Sequence, residues 1–151
     1  MEISRNPPSN GNTLYILLVD DSEAEGKIAK RAFEKAELKS HLSIVHSGED
    51  ALAHVSTANR TDLILLDIKM PKMDGFVVLE KIKAIEFARN IPIIIFTSSK
   101  NEVDIRKSYS LGAASYIQKP IDYPSFEKMI ITFNDYWQNL NCLPKQTEQR
   151  D

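Results

Sequence analysis

The chain has 151 residues, 42% of them hydrophobic and 26% charged, which suits one globular domain around one core. Its net charge of −2, from 19 basic and 21 acidic residues with no lysine or arginine run, gives no broad attraction for nucleic acid or an anionic membrane. A single cysteine, Cys142, excludes an internal disulfide, and apolar runs of about six residues fall far short of the ~20 of a membrane span.

Residues 1–13 carry Pro7, Pro8 and Gly11 and read as a flexible polar tail. They lack the apolar stretch of a signal peptide, so the expected location is the cytoplasm. Leu14–Val19 is the first strand. Ser22 then offers an N-cap, with Glu25 three residues on to complete a capping box. Ile28, Ala29, Ala32, Phe33 and Ala36 follow at helical spacing. Leu42–Val45 is a second, more polar strand, and Ser47-Gly48-Glu49 opens a helix running through Leu52 and Val55. Asp62–Leu66 is a third strand. Asp74-Gly75 forms a turn into a helix bearing Phe76, Leu79 and Ile82. Ile91–Phe96 is a fourth strand with Pro92 near its start, Glu102 to Tyr109 a short helix, and Ser115–Gln118 a fifth strand. Pro124 sits where the first turn of a helix accepts proline. Phe126, Met129, Ile130, Phe133, Trp137 and Leu140 then make one apolar stripe, expected to be core.

Strand and helix alternating five times predict an α/β fold with a parallel sheet covered on both faces. The first, third and fourth strands are apolar throughout and belong in the middle; the second and fifth mix polar and apolar residues, as edges do. Right-handed crossovers then favour the order 2-1-3-4-5. Ligands of such a sheet bind at the carboxyl ends of the strands, beside the switch point between the first and third.

Asp20 and Asp21 follow the first strand, Asp67 the third, Thr97 the fourth, and Lys119 the fifth. Three carboxylates brought together repel one another and call for a cation. An oxygen-only set suits a hard divalent ion, and Mg²⁺ takes one or two carboxylates and completes its shell with water and phosphate oxygens. Lys119 supplies a point charge and Thr97 a hydroxyl donor, the parts phosphoryl transfer uses, and a carboxylate can itself be the nucleophile. His41, His46 and His54 have no metal-ligand spacing and read as surface or edge residues. Tyr116, taken alone, reads as packing at an edge strand.

Four segments occur in order at these strand ends: Val19-Asp20-Asp21, the stretch from Leu66-Asp67-Ile68-Lys69 to Met73-Asp74-Gly75, Phe96-Thr97-Ser98, and Ile117-Gln118-Lys119-Pro120. Together they resemble the two-component response-regulator receiver family, over residues 14–140, with its flavodoxin-like (βα)5 fold. The resemblance implies that Asp67 accepts a phosphoryl group from a histidine kinase or a phosphotransfer protein. It implies that Asp21 ligates Mg²⁺ directly, that Asp20 assists, and that the backbone carbonyl of Lys69 is a further ligand. Thr97 would bind the attached phosphoryl group, Lys119 would contact one of its oxygens, and the Lys119–Pro120 peptide is expected cis. Thr97 and Tyr116 match the switch pair, and Lys69 and Ser99 match positions that tune the lifetime of the phosphoryl group. Such a protein is no enzyme beyond catalysing its own phosphorylation and dephosphorylation.

Tyr136-Trp137-Gln138-Asn139-Leu140 and Cys142-Leu143-Pro144 resemble the last helix and tail of small regulators paired with phytochrome-type histidine kinases. That likeness implies a homodimer through the fourth helix, fifth strand and fifth helix, with Ile105, Tyr109, Leu111 and Tyr136 as candidate contacts. The tail 141–151 is too short for a DNA-binding or enzymatic output domain, so output is expected through protein contacts. Two rival readings fit less well. A haloacid-dehalogenase-type phosphatase sets its two aspartates two apart after the first strand; here they are adjacent. A pseudo-receiver, an interaction module without phosphorylation, normally lacks part of the acidic pocket or the lysine; here all are present.

Overall fold

The computed structural model describes residues 13–57 and 60–144. The expected N-terminal tail, apart from Thr13, and residues 145–151 of the expected C-terminal tail lie outside the described residues. The elements run β1 (Leu14–Val19), α1 (Glu23–Lys35), β2 (Ser40–Val45), α2 (Gly48–Ser56), β3 (Leu63–Leu66), α3 (Gly75–Lys83), β4 (Ile93–Thr97), α4 (Glu102–Ser110), β5 (Ser115–Gln118) and α5 (Tyr123–Asp135). The five strands are parallel and lie in the order β2-β1-β3-β4-β5, as the polarity of the strands predicts.

Every residue of β3 and β4 is buried, and β1 is buried but for Tyr15. Alternation along these strands feeds two cores, one per face. Leu17, Ile64, Leu66, Ile93 and Ile95 pack under α2 and α3. Ile16, Leu18, Leu65, Ile94 and Phe96 point the other way and meet Phe33 of α1 and Phe126 of α5. Each such side chain, fully buried, contributes about 1.5–3 kcal/mol from the area removed from water. This apolar slab is the rigid mount on which the strand tips stand.

Each helix begins on a side-chain cap that stops the preceding loop. Ser22, Ser47, Asp74, Asn101 and Asp122 accept a backbone N–H from the first turn of α1 to α5 respectively. Asp74 is thus the N-cap of α3 as well as a turn residue. Gly75 follows it because a methyl there would run into the backbone of Asp67 and Ile68. The first turn of α3 is thereby pressed against the tip of β3.

Two readings of the helices need correction. The last α-helix stops at Asp135 and winds into a π-helical turn, Tyr136–Leu140, closed by Asn141 N–H on the Tyr136 carbonyl at 2.7 Å. The wider turn breaks the 3.6-residue spacing, so Leu140 leaves the stripe and is 70% exposed. Trp137 stays partly buried against the core and Leu143 joins it there. Likewise Ile28, placed on the apolar stripe of α1, is half exposed. Among the described residues no helix is long and apolar enough to cross a membrane.

Candidate functional site

Asp20 extends β1 by one residue, its N–H donating to the Val45 carbonyl, and Asp67 extends β3 in the same way, its N–H donating to the Val19 carbonyl. Because β1 and β3 are neighbours, the two carboxyls emerge side by side, and both residues are buried. Lys119 follows β5, its N–H donating to the Thr97 carbonyl at 2.8 Å. Its ammonium spans the sheet to reach Asp20 at 2.8 Å and Asp67 at 3.3 Å. A third carboxylate, that of Glu25 on α1, also hydrogen-bonds Lys119.

The sequence pairs Glu25 with Ser22 in a capping box, but only half the box forms. Ser22 Oγ accepts the Glu25 N–H, whereas the Ser22 N–H goes to Asp20 Oδ1 at 3.0 Å. The Glu25 carboxylate is taken by Lys119, 94 residues away, because a largely buried ammonium is a stronger partner than a backbone N–H. His46, read from sequence as a surface residue, is exposed, but its Nδ1 lies 2.8 Å from the Asp20 carbonyl oxygen, fixing the β1 tip from β2. The position of His46 directly after β2 is the one sequence signal that could have suggested this.

The expected cis bond at Lys119–Pro120 is also corrected: no peptide among the described residues is cis. With the trans peptide the Lys119 N–H still completes the β5 ladder and the ammonium still meets Asp20 and Asp67, so the trans preference of the peptide is unopposed.

The electrostatics are unbalanced. Burial pushes the Asp20 carboxyl up from its ordinary value, against the lowering pull of the Lys119 hydrogen bond and the Ser22 N–H. Burial would pull the Lys119 ammonium down, but the hydrogen bonds to Asp20 and Glu25 and the charge of Asp67 outweigh it and hold it well above an ordinary lysine. One ammonium therefore serves three carboxylates. Oxygens of Asp20, Glu25 and Asp67 approach within 4.8 Å of one another, a set of hard donors that could hold a divalent cation. Asp21, expected as a ligand, is exposed and stands outside this triad, next to Asp20.

The remaining expected residues surround the cluster. Thr97 is buried at the tip of β4, and its Oγ accepts the Ser99 N–H at 3.4 Å. Lys69, in the loop after β3, donates its N–H to Asp67 Oδ1 at 3.3 Å. Tyr116 is half-buried, packs against the α2–α3 core and donates its hydroxyl to the Ser99 carbonyl at 2.9 Å. A cleft of about 460 Å³ opens beside Lys119, lined among others by Glu25, Ile28, Phe96, Ile121 and Phe126.

Residues 16–131 match the response regulator receiver domain. The chain is 31% identical to response regulator Rcp1 of Synechocystis sp., over 95% of this chain and 99% of Rcp1. Its fold superposes on the phosphorylated cyanobacterial phytochrome response regulator RcpA with a TM-score of 0.82 at 30% identity, covering 89% of this chain and all of RcpA. It superposes on the Mn²⁺-bound form of Rcp1 with a TM-score of 0.79 at 31% identity, covering 87% of this chain and 99% of that one. A shared sequence over most of the chain and a shared backbone, with the acids and the lysine at the strand ends that the motifs require, leave one assignment: the chain belongs to the response regulator receiver family.

Proposed function

We propose that Asp67 is the phosphoacceptor of this protein and takes a phosphoryl group from the phosphohistidine of a histidine kinase or phosphotransfer protein. The observation that supports this best is the excess of acid at the strand tips: two buried carboxylates and a half-exposed one within reach of one ammonium, in a family whose work is phosphoryl transfer. Mg²⁺ is an ion that oxygen donors of this kind suit, and by the family resemblance it would be held by Asp20, Asp67, the neighbouring Asp21 and the Lys69 carbonyl. When bound it would offset the carboxylate charge and supply positive charge to phosphoryl oxygens.

An Asp67 carboxylate oxygen attacks phosphorus; an O–P bond forms and the N–P bond to the donor imidazole breaks. Lys119 is shared with Asp67 beforehand and turns to a phosphoryl oxygen as negative charge arrives. The Thr97 hydroxyl donates to another oxygen. That movement frees space beside β4 and β5, and Tyr116 responds, so the α4–β5–α5 face changes the partner it prefers.

The protein works in the cytoplasm, with a phytochrome-type histidine kinase as its partner, by analogy with the phytochrome response regulator it resembles. Its α4–β5–α5 face forms a homodimer. Tyr109 and Tyr136 are about half exposed there, and Ile105 and Leu111 are half-buried beside them.

Intact mass after incubation with acetyl phosphate and Mg²⁺ tests the acceptor. Wild type gains one phosphoryl group and Asp67→Asn gains none. A wild type that stays unmodified with both acetyl phosphate and a transferring kinase would instead be an interaction module.

A further inference from the structure

Outside the carboxylate–lysine cluster, one side chain joins three segments: the loop after β3, the loop after β4, and α4. Asp104, in the first turn of α4, is largely buried, with a side-chain exposure of 16%. Its Oδ2 accepts the Ser99 hydroxyl at 2.7 Å and lies 3.6 Å from the Lys69 ammonium. Ser99 is the hub. Its N–H donates to Thr97 Oγ, its Oγ accepts the Asn101 N–H, and its carbonyl accepts the Tyr116 hydroxyl.

We propose that Asp104 is a positioning residue that couples the phosphorylation site to the Thr97–Tyr116 pair. This rests on the phosphoacceptor reading of Asp67. The carboxylate fixes the Ser99 side chain, and that fixes the residue whose N–H faces Thr97 and whose carbonyl faces Tyr116. A short hydrogen bond to a carboxylate is strong enough to do this. The Lys69 contact is weaker, since the Lys69 side chain is 65% exposed. When Thr97 turns to a phosphoryl group it must give up the Ser99 N–H or carry Ser99 with it. Because Ser99 is tied to α4 through Asp104, movement at Thr97 is passed to α4 and to Tyr116 together. Without the tie, Thr97 moves alone.

The test uses the full chain labelled with 3-fluorotyrosine, so that each of the 5 tyrosines gives a fluorine line. Tyr116→Phe assigns the line that matters. Asp104→Ala should move or split the Tyr116 line while the others hold. Asp104→Asn, which keeps an oxygen acceptor for Ser99, should restore it. After phosphorylation with acetyl phosphate, Asp104→Ala should change the rate of phosphoryl loss by about 2- to 30-fold, the range over which a coupling residue of this kind acts. A Tyr116 line that does not respond to Asp104→Ala overturns the proposal. So does a general shift of all the tyrosine lines, which marks ordinary loosening, and so does an unchanged rate of loss. A wild type that takes up no phosphoryl group sinks the reading of Asp67, while the Tyr116 line still decides the positioning role.

Discussion

Both ends of the sheet bury aspartate, one residue at the amino end and two at the carboxyl end, and they treat it in opposite ways. At the amino end, Asp62 accepts the Tyr15 N–H at 2.9 Å and the Arg60 Nε–H at 3.2 Å. The guanidinium also stacks on the Tyr15 ring, 4.9 Å from its centroid. One carboxylate meets one cation, and the arrangement is local and closed. At the carboxyl end, Asp20, Glu25 and Asp67 share Lys119. The first arrangement needs nothing more. The second is left with more negative than positive charge, two of its carboxylates buried, and a divalent cation could offset the excess. Burial of an aspartate is therefore no guide to function by itself; the ratio of acids to cations around it is.

Removing the cation is the severest way to break that contrast. Lys119→Met leaves Asp20 and Asp67 buried with no counter-charge, and should cost about 3–5 kcal/mol in buffer with EDTA. Millimolar Mg²⁺ should recover part of the loss, since an ion that binds the native state alone stabilises it. Asp62→Ala is the matching change at the amino end. It strands the Tyr15 N–H and returns a half-exposed arginine to water, at a cost of about 1–3 kcal/mol that Mg²⁺ does not repair. Urea denaturation with and without Mg²⁺ measures both. Equal responses to the metal at the two ends would remove the distinction between them.

Proton binding sharpens the same point. Burial raises the Asp20 carboxyl, so the folded protein holds that proton more tightly than the unfolded chain does. A group with a raised folded value contributes its stability at acid pH and loses it as pH rises through that value. In EDTA, Asp20→Asn should thus be at least as stable as wild type at neutral pH, and its advantage should shrink as pH falls towards the ordinary carboxylate range. With Mg²⁺ present the order should reverse at neutral pH. Paired melting curves across pH check the sign. A wild-type advantage in EDTA that grows with pH would mean that Lys119 overcompensates for the burial.

The strands, their order and the placement of Asp20, Asp67, Thr97 and Lys119 at the strand tips were legible in the sequence because each rests on short-range pattern. Runs such as LILL and IIIF, short and bounded by turn residues, read as central strands, and a polar residue after such a run falls at a strand tip. Glu25 was legible only as half of a capping box, since spacing records its neighbour Ser22 and not a lysine that folding brings from the far end of the chain. His46 and Asp104 escaped for the same reason: one acts on a backbone carbonyl and the other on a serine hydroxyl, contacts without any periodicity. The π-turn at Tyr136–Leu140 escaped because the apolar spacing before it is ordinary helix, and the widening shows only in which of Leu140 and Leu143 returns to the core.

The smallest effect expected lies at the amino end, where the sheet has room to gain stability without touching the acids. Two helices end there near a residue of positive φ. After α4 that residue is Gly112, at φ 104°, where a glycine carries no Cβ penalty. After α1 it is Glu37, at φ 52°, exposed and one residue past the Ala36 cap. A glutamate there bears the left-handed strain that α4 avoids. Glu37→Gly should therefore stabilise the protein by about 1 kcal/mol, read as a rise in the urea midpoint with an unchanged slope. It should leave phosphoryl uptake by Asp67 as it was, because α1 is anchored at its other end by Ser22 and Glu25. A gain in stability that came with slower uptake would mean that the two ends of the sheet are linked through α1, and that the amino end is not the independent, closed arrangement its contacts describe.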